Sequence, residues 1–218
     1  MKSANITAAA LQLYAVTDSR WLNDTSLAAA VEKALAGGVT CVQLREKHLS
    51  FDEFLRTAKE IKALCQNYHD PFIVDDNLDI ALACDADGLH IGQNDMPAVK
   101  ARELLGPDKI LGVSAHTIEQ AVAACQDGAD YLGVGAVFPT GTKTDAVEVP
   151  LDTLKAITAA VDIPVVAIGG INADNITQLS GTGIAGAAVV SAIFAQKDIK
   201  KAAANLRQLI AKEEVLSN

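Results

Sequence analysis

The chain has 218 residues, half of them hydrophobic and 21% charged, with a formal net charge of −9. Such a length fits one large α/β domain. The acidic balance, with no basic tail and no basic–aromatic interleaving, argues against nucleic acid and anionic membrane as partners. No apolar run approaches membrane length, and the start of the chain lacks a charged segment followed by an apolar one, so a cytoplasmic protein is expected. Cys41, Cys65, Cys84 and Cys125 show no CxxC spacing and sit in apolar contexts. They read as buried small hydrophobes of a reducing compartment, forming neither a disulfide frame nor a zinc site.

Residues 1–10 read as a loose segment, and the first strand is expected over 11–17, closing at Asp18. Leu27, Val31 and Leu35 lie one turn apart on a helix over 26–36, which Gly37-Gly38 stops. A strand over 39–44 follows. Ser50 and Glu53 form a capping box for a helix whose inner face carries Phe54, Ala58, Ile61 and Cys65. Strands are then expected at 71–74, 88–91, 110–114, 131–134, 164–168 and 184–190. Helices fall between them, the seventh at 173–180 and the last at 198–212. The count is eight strands and eight helices in strict alternation, with tight helix-to-strand joints such as Ala36-Gly37-Gly38-Val39 and Ala86-Asp87-Gly88-Leu89. A single (β/α)₈ barrel over residues 1–218 is the expected fold. A doubly wound sheet is the rival, and the absence of an obvious edge strand counts against it.

In such a barrel the residues after each strand share the C-terminal face, where active sites lie. Gln43, Arg45 and Lys47 alternate, so an extended chain points them the same way, as an anion site needs. Asp76 follows strand three and Asp95 follows strand four, placed to share a hard cation such as Mg²⁺ with a substrate phosphate. The plainer reading of either Asp is a helix N-cap. Strand five offers Ser114 and nearby His116. Thr140, Gly141, Thr142 and Lys143 form a hydroxyl-rich cationic loop, a lid or a plain surface loop. Gly169-Gly170 with Val190-Ser191 matches the barrel phosphate site after strands seven and eight. Two anion sites suggest two phosphorylated substrates, or one with phosphates at both ends. His48, His69, His90 and His116 form no ligand cluster by spacing, and His90 reads as a satisfied structural histidine.

Several stretches resemble the thiamine phosphate synthase family in order along the chain. They are Leu13-Tyr14-Ala15-Val16-Thr17-Asp18, Gln43-Leu44-Arg45-Glu46-Lys47, the run 87–95, the run 112–117, Phe138-Pro139-Thr140-Gly141-Thr142-Lys143 and Ala167-Ile168-Gly169-Gly170-Ile171. The resemblance implies a transferase of thiamine biosynthesis. It would join 4-amino-2-methyl-5-(diphosphooxymethyl)pyrimidine to 4-methyl-5-(2-phosphoethyl)thiazole, or its carboxylated form, and release diphosphate. By the family pattern Gln43, Leu44, Arg45, Glu46, Lys47, Asp75, Ser114 and Lys143 hold the pyrimidine diphosphate, with Arg45, Lys47, Ser114 and Lys143 as the catalytic set. Asp76 and Asp95 hold Mg²⁺, and Thr140, Gly141, Thr142, Gly170, Val190 and Ser191 hold the thiazole phosphate. The family reaction is dissociative and needs leaving-group neutralisation and positioning, with no side-chain nucleophile. Asp75 stands where the family usually has Asn, and an extra carboxylate there either adds a metal ligand or repels the diphosphate. Three rivals remain. A sister family isomerises a thiazole phosphate carboxylate without coupling, and lacks the full diphosphate set. A sugar-phosphate epimerase would want opposed acid–base groups. A non-catalytic binder of thiamine precursors is separated only by turnover.

Overall fold

The computed structural model describes residues 6–22, 25–141 and 147–212. Its strands are β1 (Leu13–Val16), β2 (Cys41–Leu44), β3 (Phe72–Asp75), β4 (Gly88–Ile91), β5 (Ile110–Ala115), β6 (Tyr131–Val134), β7 (Val165–Ile168) and β8 (Gly186–Val189). They close in sequence order into a parallel barrel, with β8 pairing back onto β1 through Leu13–Ala187 and Ala15–Val189. The expected (β/α)₈ barrel is therefore the observed fold, and among the described residues no strand is left as an edge.

The helices are α1 (Ala8–Leu11), α2 (Leu27–Ala36), α3 (Phe51–Tyr68), α4 (Leu78–Ala83), α5 (Ala98–Leu105), α6 (Ile118–Gln126), α7 (Leu151–Ala160), α8 (Ser191–Phe194) and α9 (Ile199–Lys212). Strand residues alternate between two cores, because successive side chains point to opposite faces. Leu13, Val42, Leu44, Phe72, Val74 and Leu89 face outward into the layer shared with the helices. Tyr14, Val16, Cys41, Ile73, Ile110 and Tyr131 fill the barrel interior. Nearly every strand position is buried on both faces, which is why the strands read as continuous apolar runs.

Local signals set the helix ends. Ser50 and Glu53 do form the reciprocal capping box of α3, and Phe54, Ala58, Ile61 and Cys65 are its buried stripe. Helix α2 starts on a Ser26 cap and stops at Gly37, followed by Gly38 at φ +97°. A side chain at Gly37 would lie 2.5 Å from the Lys200 carbonyl oxygen, so this joint needs glycine for close approach as well as for turning. At the N-terminal end of the barrel, a buried carboxylate and an exposed one stitch joints to strands. Asp130 accepts from the Leu111 N–H at 2.8 Å and pairs with Arg102, and Asp87 accepts from the Phe72 N–H at 2.8 Å.

Three expectations change. Of the segment expected to be loose, residues 1–5 lie outside the described residues and residues 6–10 are not loose. Thr7 caps α1, and Ile6 and Leu11 are buried in the barrel interior, so β1 starts at Leu13 and not at 11. The helix expected over 173–180 is only a 3₁₀ turn, Ile176–Leu179. Asn172 and Asn175 explain it: the Asn175 side chain accepts from the Asn172 N–H at 2.8 Å and donates to the Gly170 carbonyl at 2.9 Å. Asparagines that bond the local backbone compete with helix formation. Beyond β8, the short helix α8 precedes α9. Cys41, Cys65 and Cys84 are buried and Cys125 is half-buried, all as free thiols.

Candidate active site

Strand β2 delivers the first part of the site. Gln43 points into the barrel, 5% exposed, while Leu44 is fully buried in the outer layer. The inward alternation holds for Gln43 but removes the Leu44 side chain from the site, leaving its backbone as the only part able to meet a ligand. Past the strand, Arg45 is fixed by its N–H, which donates to the Thr17 Oγ1 at 2.9 Å. Arg45 Nε lies 3.5 Å and Lys47 Nζ 4.0 Å from Asp75 Oδ2, and Lys47 also bonds Asp76. The spacing of two thus does converge Gln43, Arg45 and Lys47 on one end of the barrel. Glu46 takes a bond from the Ser19 hydroxyl, and burial raises its carboxyl above the usual range.

Asp76 and Asp95 are not helix caps. Asn77 caps α4, accepting from the Ile80 N–H at 3.0 Å, and α5 starts at Pro97 with no side-chain cap. Asp76 instead adopts a left-handed backbone at φ +59°, tolerable for Asp, with its N–H on the His90 carbonyl at 2.8 Å. Its carboxylate meets both Lys47 and the Asp95 carboxyl. Burial alone raises Asp76, but the hydrogen bonds from Lys47 and Asp95 hold it below its ordinary value. Asp95 is raised, by burial first and then by its bond with Asp76. The two carboxyl groups therefore meet each other directly, a like-charge pair that a divalent cation between them would relieve. Among the described residues no cluster of three or more His, Cys, Asp or Glu side chains is arranged to hold a metal. A cation held by Asp76 and Asp95 would take its other ligands from water and substrate oxygens, as Mg²⁺ commonly does.

Asp75 faces inward from β3. Burial first, then the Asp76 charge, push its carboxyl up to about 7, against the pull of Lys47 and Arg45. A carboxyl that keeps its proton near neutrality matches asparagine in shape and offers one donor, so Asp75 stands in for the usual Asn without a full extra charge. The folded state holds this proton more tightly than the unfolded chain, where Asp titrates near 3.9. Asp75 therefore costs stability as pH rises from about 4 towards about 7, and the cost stays constant above that. Asp75→Asn should stabilise metal-free protein at pH 8 by up to about 4 kcal/mol, read as a higher melting temperature, and change it little at pH 4. An equal shift at both pH values would show that folding does not raise the Asp75 carboxyl.

Opposite, β7 ends in Gly169 and Gly170 at φ +102° and +65°. A side chain on Gly170 would lie 2.4 Å from the Pro139 carbonyl oxygen and 2.8 Å from that of Phe138. The loop after β6 thus packs onto this turn, with the Phe138 N–H on the Gly169 carbonyl at 3.1 Å. Thr140 and Gly141 continue that loop at the rim. Thr142 and Lys143 lie outside the described residues. Val190 and Ser191 open α8 beside β1, so the turns after β7 and β8 complete the ring that β2–β5 begin.

Below this ring a cavity of about 40 Å³ is lined by Gln43, His90, Ser114, Tyr14 and Tyr131. An apolar cavity that holds benzene is near 150 Å³, so a six-membered ring has to rest above, with these groups as its floor. Sequence reasoning missed both tyrosines. Their signal was available: a tyrosine within a buried strand must find a partner for its hydroxyl.

Fold and site together define a (β/α)₈ barrel with a ring of cations, carboxylates and glycine turns at the C-terminal ends of its strands. The family model described as Thiamine monophosphate synthase matches residues 13–193, and the chain belongs to that family. It is 53% identical over 197 residues to a thiamine-phosphate synthase of Ruminiclostridium cellulolyticum, covering 90% of this chain and 94% of that one. It is also 53% identical over 194 residues to a thiamine-phosphate synthase of Clostridium tetani, covering 89% and 93%. The solved thiamine phosphate pyrophosphorylase of Pyrococcus furiosus superimposes with a TM-score of 0.88 at 42% identity, covering 96% of this chain and 99% of that one.

Proposed function

We propose that the chain is a thiamine-phosphate synthase, coupling the pyrimidine diphosphate to the thiazole phosphate with release of diphosphate, and acting in the cytoplasm. The observation that carries this reading is the cluster of Arg45, Lys47, Asp75, Asp76 and Asp95 over β2–β4, facing the Gly169–Gly170 turn across the mouth. Family membership and high-identity relatives of that name support it. Among the described residues no helix is long and apolar enough to cross a membrane.

The residue roles follow from charge and reach. Arg45 and Lys47 neutralise the diphosphate as the carbon–oxygen bond breaks, and Lys143 adds a third cation from the loop. A group whose charge grows in the transition state gains most from such fixed cations. Asp76 and Asp95 fit Mg²⁺ by their hard oxygens and direct contact; when bound, the ion would supply further charge neutralisation at the leaving group. Gln43, Asp75 and Ser114 orient the pyrimidine ring, with the backbone of Leu44 and with Glu46 flanking them. Thr140, Gly141, Thr142, Gly170, Val190 and Ser191 hold the thiazole phosphate, so that its ring nitrogen faces the departing carbon. Bringing the two partners together is the larger part of the work.

Incubating both substrates with Mg²⁺ and detecting thiamine phosphate by mass tests the assignment. Binding without product would leave a precursor-binding protein, and isomerisation of a carboxylated thiazole without coupling would point to the sister activity.

Gly170→Val tests the division of the mouth. Valine would collide with the Phe138 and Pro139 carbonyls and displace the backbone that approaches the phosphate. Thiazole phosphate affinity should fall about tenfold or more, the worth of one charge-assisted hydrogen bond. Titration of the pyrimidine diphosphate should change far less; matched losses would mean that the whole fold has suffered.

A further inference from the structure

Five side chains from five strands form one continuous chain of hydrogen bonds beneath the site. Gln43 Nε2 donates to the Tyr14 hydroxyl at 3.0 Å, and the Tyr14 and Tyr131 hydroxyls lie 2.7 Å apart. The Tyr131 hydroxyl is 3.0 Å from His90 Nδ1, and His90 Nε2 is 3.0 Å from the Ser114 Oγ. Space has been cleared for it. A side chain at Gly112 would meet the Tyr131 ring at 2.2 Å, and one at Gly133 would meet the His90 ring at 3.1 Å. A buried chain of this kind leaves little room for the wrong proton arrangement, because each unmet donor or acceptor is costly.

Each link needs one donor, and two directions satisfy that requirement. The Gln43 nitrogen can only give, so the Tyr14 oxygen accepts. Tyr14 then donates to Tyr131, and Tyr131 donates to His90 Nδ1. A neutral imidazole that accepts at Nδ1 carries its proton on Nε2, and donates it to Ser114. The reverse direction would send the Tyr14 proton to the Cys41 sulfur beside it, a weak acceptor. The direction with oxygen and nitrogen acceptors throughout is the favoured one.

We infer that Tyr14, Tyr131 and His90 are positioning residues that lock His90 as the Nε2–H tautomer, so that Ser114 meets the bound ring as a hydrogen-bond donor and the Gln43 carbonyl meets it as an acceptor. The floor of the site then has a fixed polarity. It suits a heterocycle edge with a lone pair on a ring nitrogen next to an exocyclic amine. It rejects the oxo analogue, whose ring N–H and carbonyl present the opposite order. The ligand half of this inference rests on the proposed function; the tautomer half does not.

Two measurements decide it. Nitrogen-15 NMR of the full chain labelled at histidine, with the His90 signals identified by their loss in His90→Gln, should show protonated Nε2 and bare Nδ1. A proton on Nδ1 in the unsubstituted protein would overturn the lock, whatever the enzyme's activity. In Tyr131→Phe the tautomer should become mixed. The KM for the aminopyrimidine diphosphate should then rise about tenfold, the worth of one hydrogen bond, while that for thiazole phosphate holds. Preference for the amino over the oxo pyrimidine should shrink by a similar factor. Equal rises in both KM values, or an unchanged preference, would make the chain a purely structural one. If the unsubstituted protein forms no thiamine phosphate, the functional reading fails, while the NMR result still decides the tautomer.

Discussion

Removing divalent metal with a chelator is expected to abolish turnover, and Mg²⁺ or Mn²⁺ to restore it. Two carboxyl groups from adjacent strands, Asp76 and Asp95, meet each other and are needed by neither α4 nor α5 as caps. The bland alternative is an ion-pair cluster in which Lys47 satisfies Asp76. A diphosphate changes that balance. It brings several negative charges against Arg45 and Lys47, and two or three side-chain cations neutralise it incompletely. Asp95→Asn retains an oxygen for the Gly92 N–H, which now donates to Asp95 at 2.7 Å, so the loop should survive. The Mg²⁺ concentration for half-maximal rate should rise by about 10–100-fold, the usual cost of weakening a metal site. Normal turnover in chelator, or an unchanged Mg²⁺ requirement in Asp95→Asn, would return both carboxylates to the ion-pair reading.

Arg45→Ala should lower kcat by roughly 10²–10³-fold with little loss of stability, the range seen when one fixed group stabilising transition-state charge is removed. Arg45 lies a quarter exposed at a strand end, where ion pairs contribute little to folding. Its 3.5 Å contact with Asp75 supplies the rival explanation, that Arg45 exists only to quiet a buried acid. The double variant separates the two. If Arg45 merely balances Asp75, adding Asp75→Asn restores the rate. If Arg45 meets the leaving group, the double variant stays slow. Lys143→Ala should slow turnover in the same direction.

Much of this was legible in the sequence because the relevant physics is local. The capping box at Ser50 and Glu53, the apolar stripe from Phe54 to Cys65 and the glycines after α2 each act within a few residues, and each appears as read. Alternation in β2 placed Gln43 with Arg45 and Lys47 by the same logic, and strictly applied it would have sent Leu44 outward, where it lies. The family pattern, carried by residues rather than by side-chain direction, hid that. What escaped was set by distant partners. The Tyr14–Tyr131 bond joins residues 117 apart in sequence, and nothing near either tyrosine announces the other. The missing helix after β7 was lost to two asparagines whose side chains found backbone groups at 170 and 172, a competition that apolar periodicity does not register. The burial of Ile6 and Leu11 depends on an interior that exists only once the barrel has closed.

That last feature governs traffic. Ile6 and Leu11 pack among Tyr14, Ile73 and Ile110 in the barrel interior, and the Leu11 carbonyl sits so close to Gly186 that a side chain there would lie 1.7 Å from it. Among the described residues the barrel is a flask with a stopper in its base and its neck at the ring of the site. Whatever rests on the Ser114 floor comes in and goes out through the same opening that the second reactant occupies. On the proposed roles, the guest on the floor has to be seated before the one that covers it, an order that product-inhibition kinetics would read.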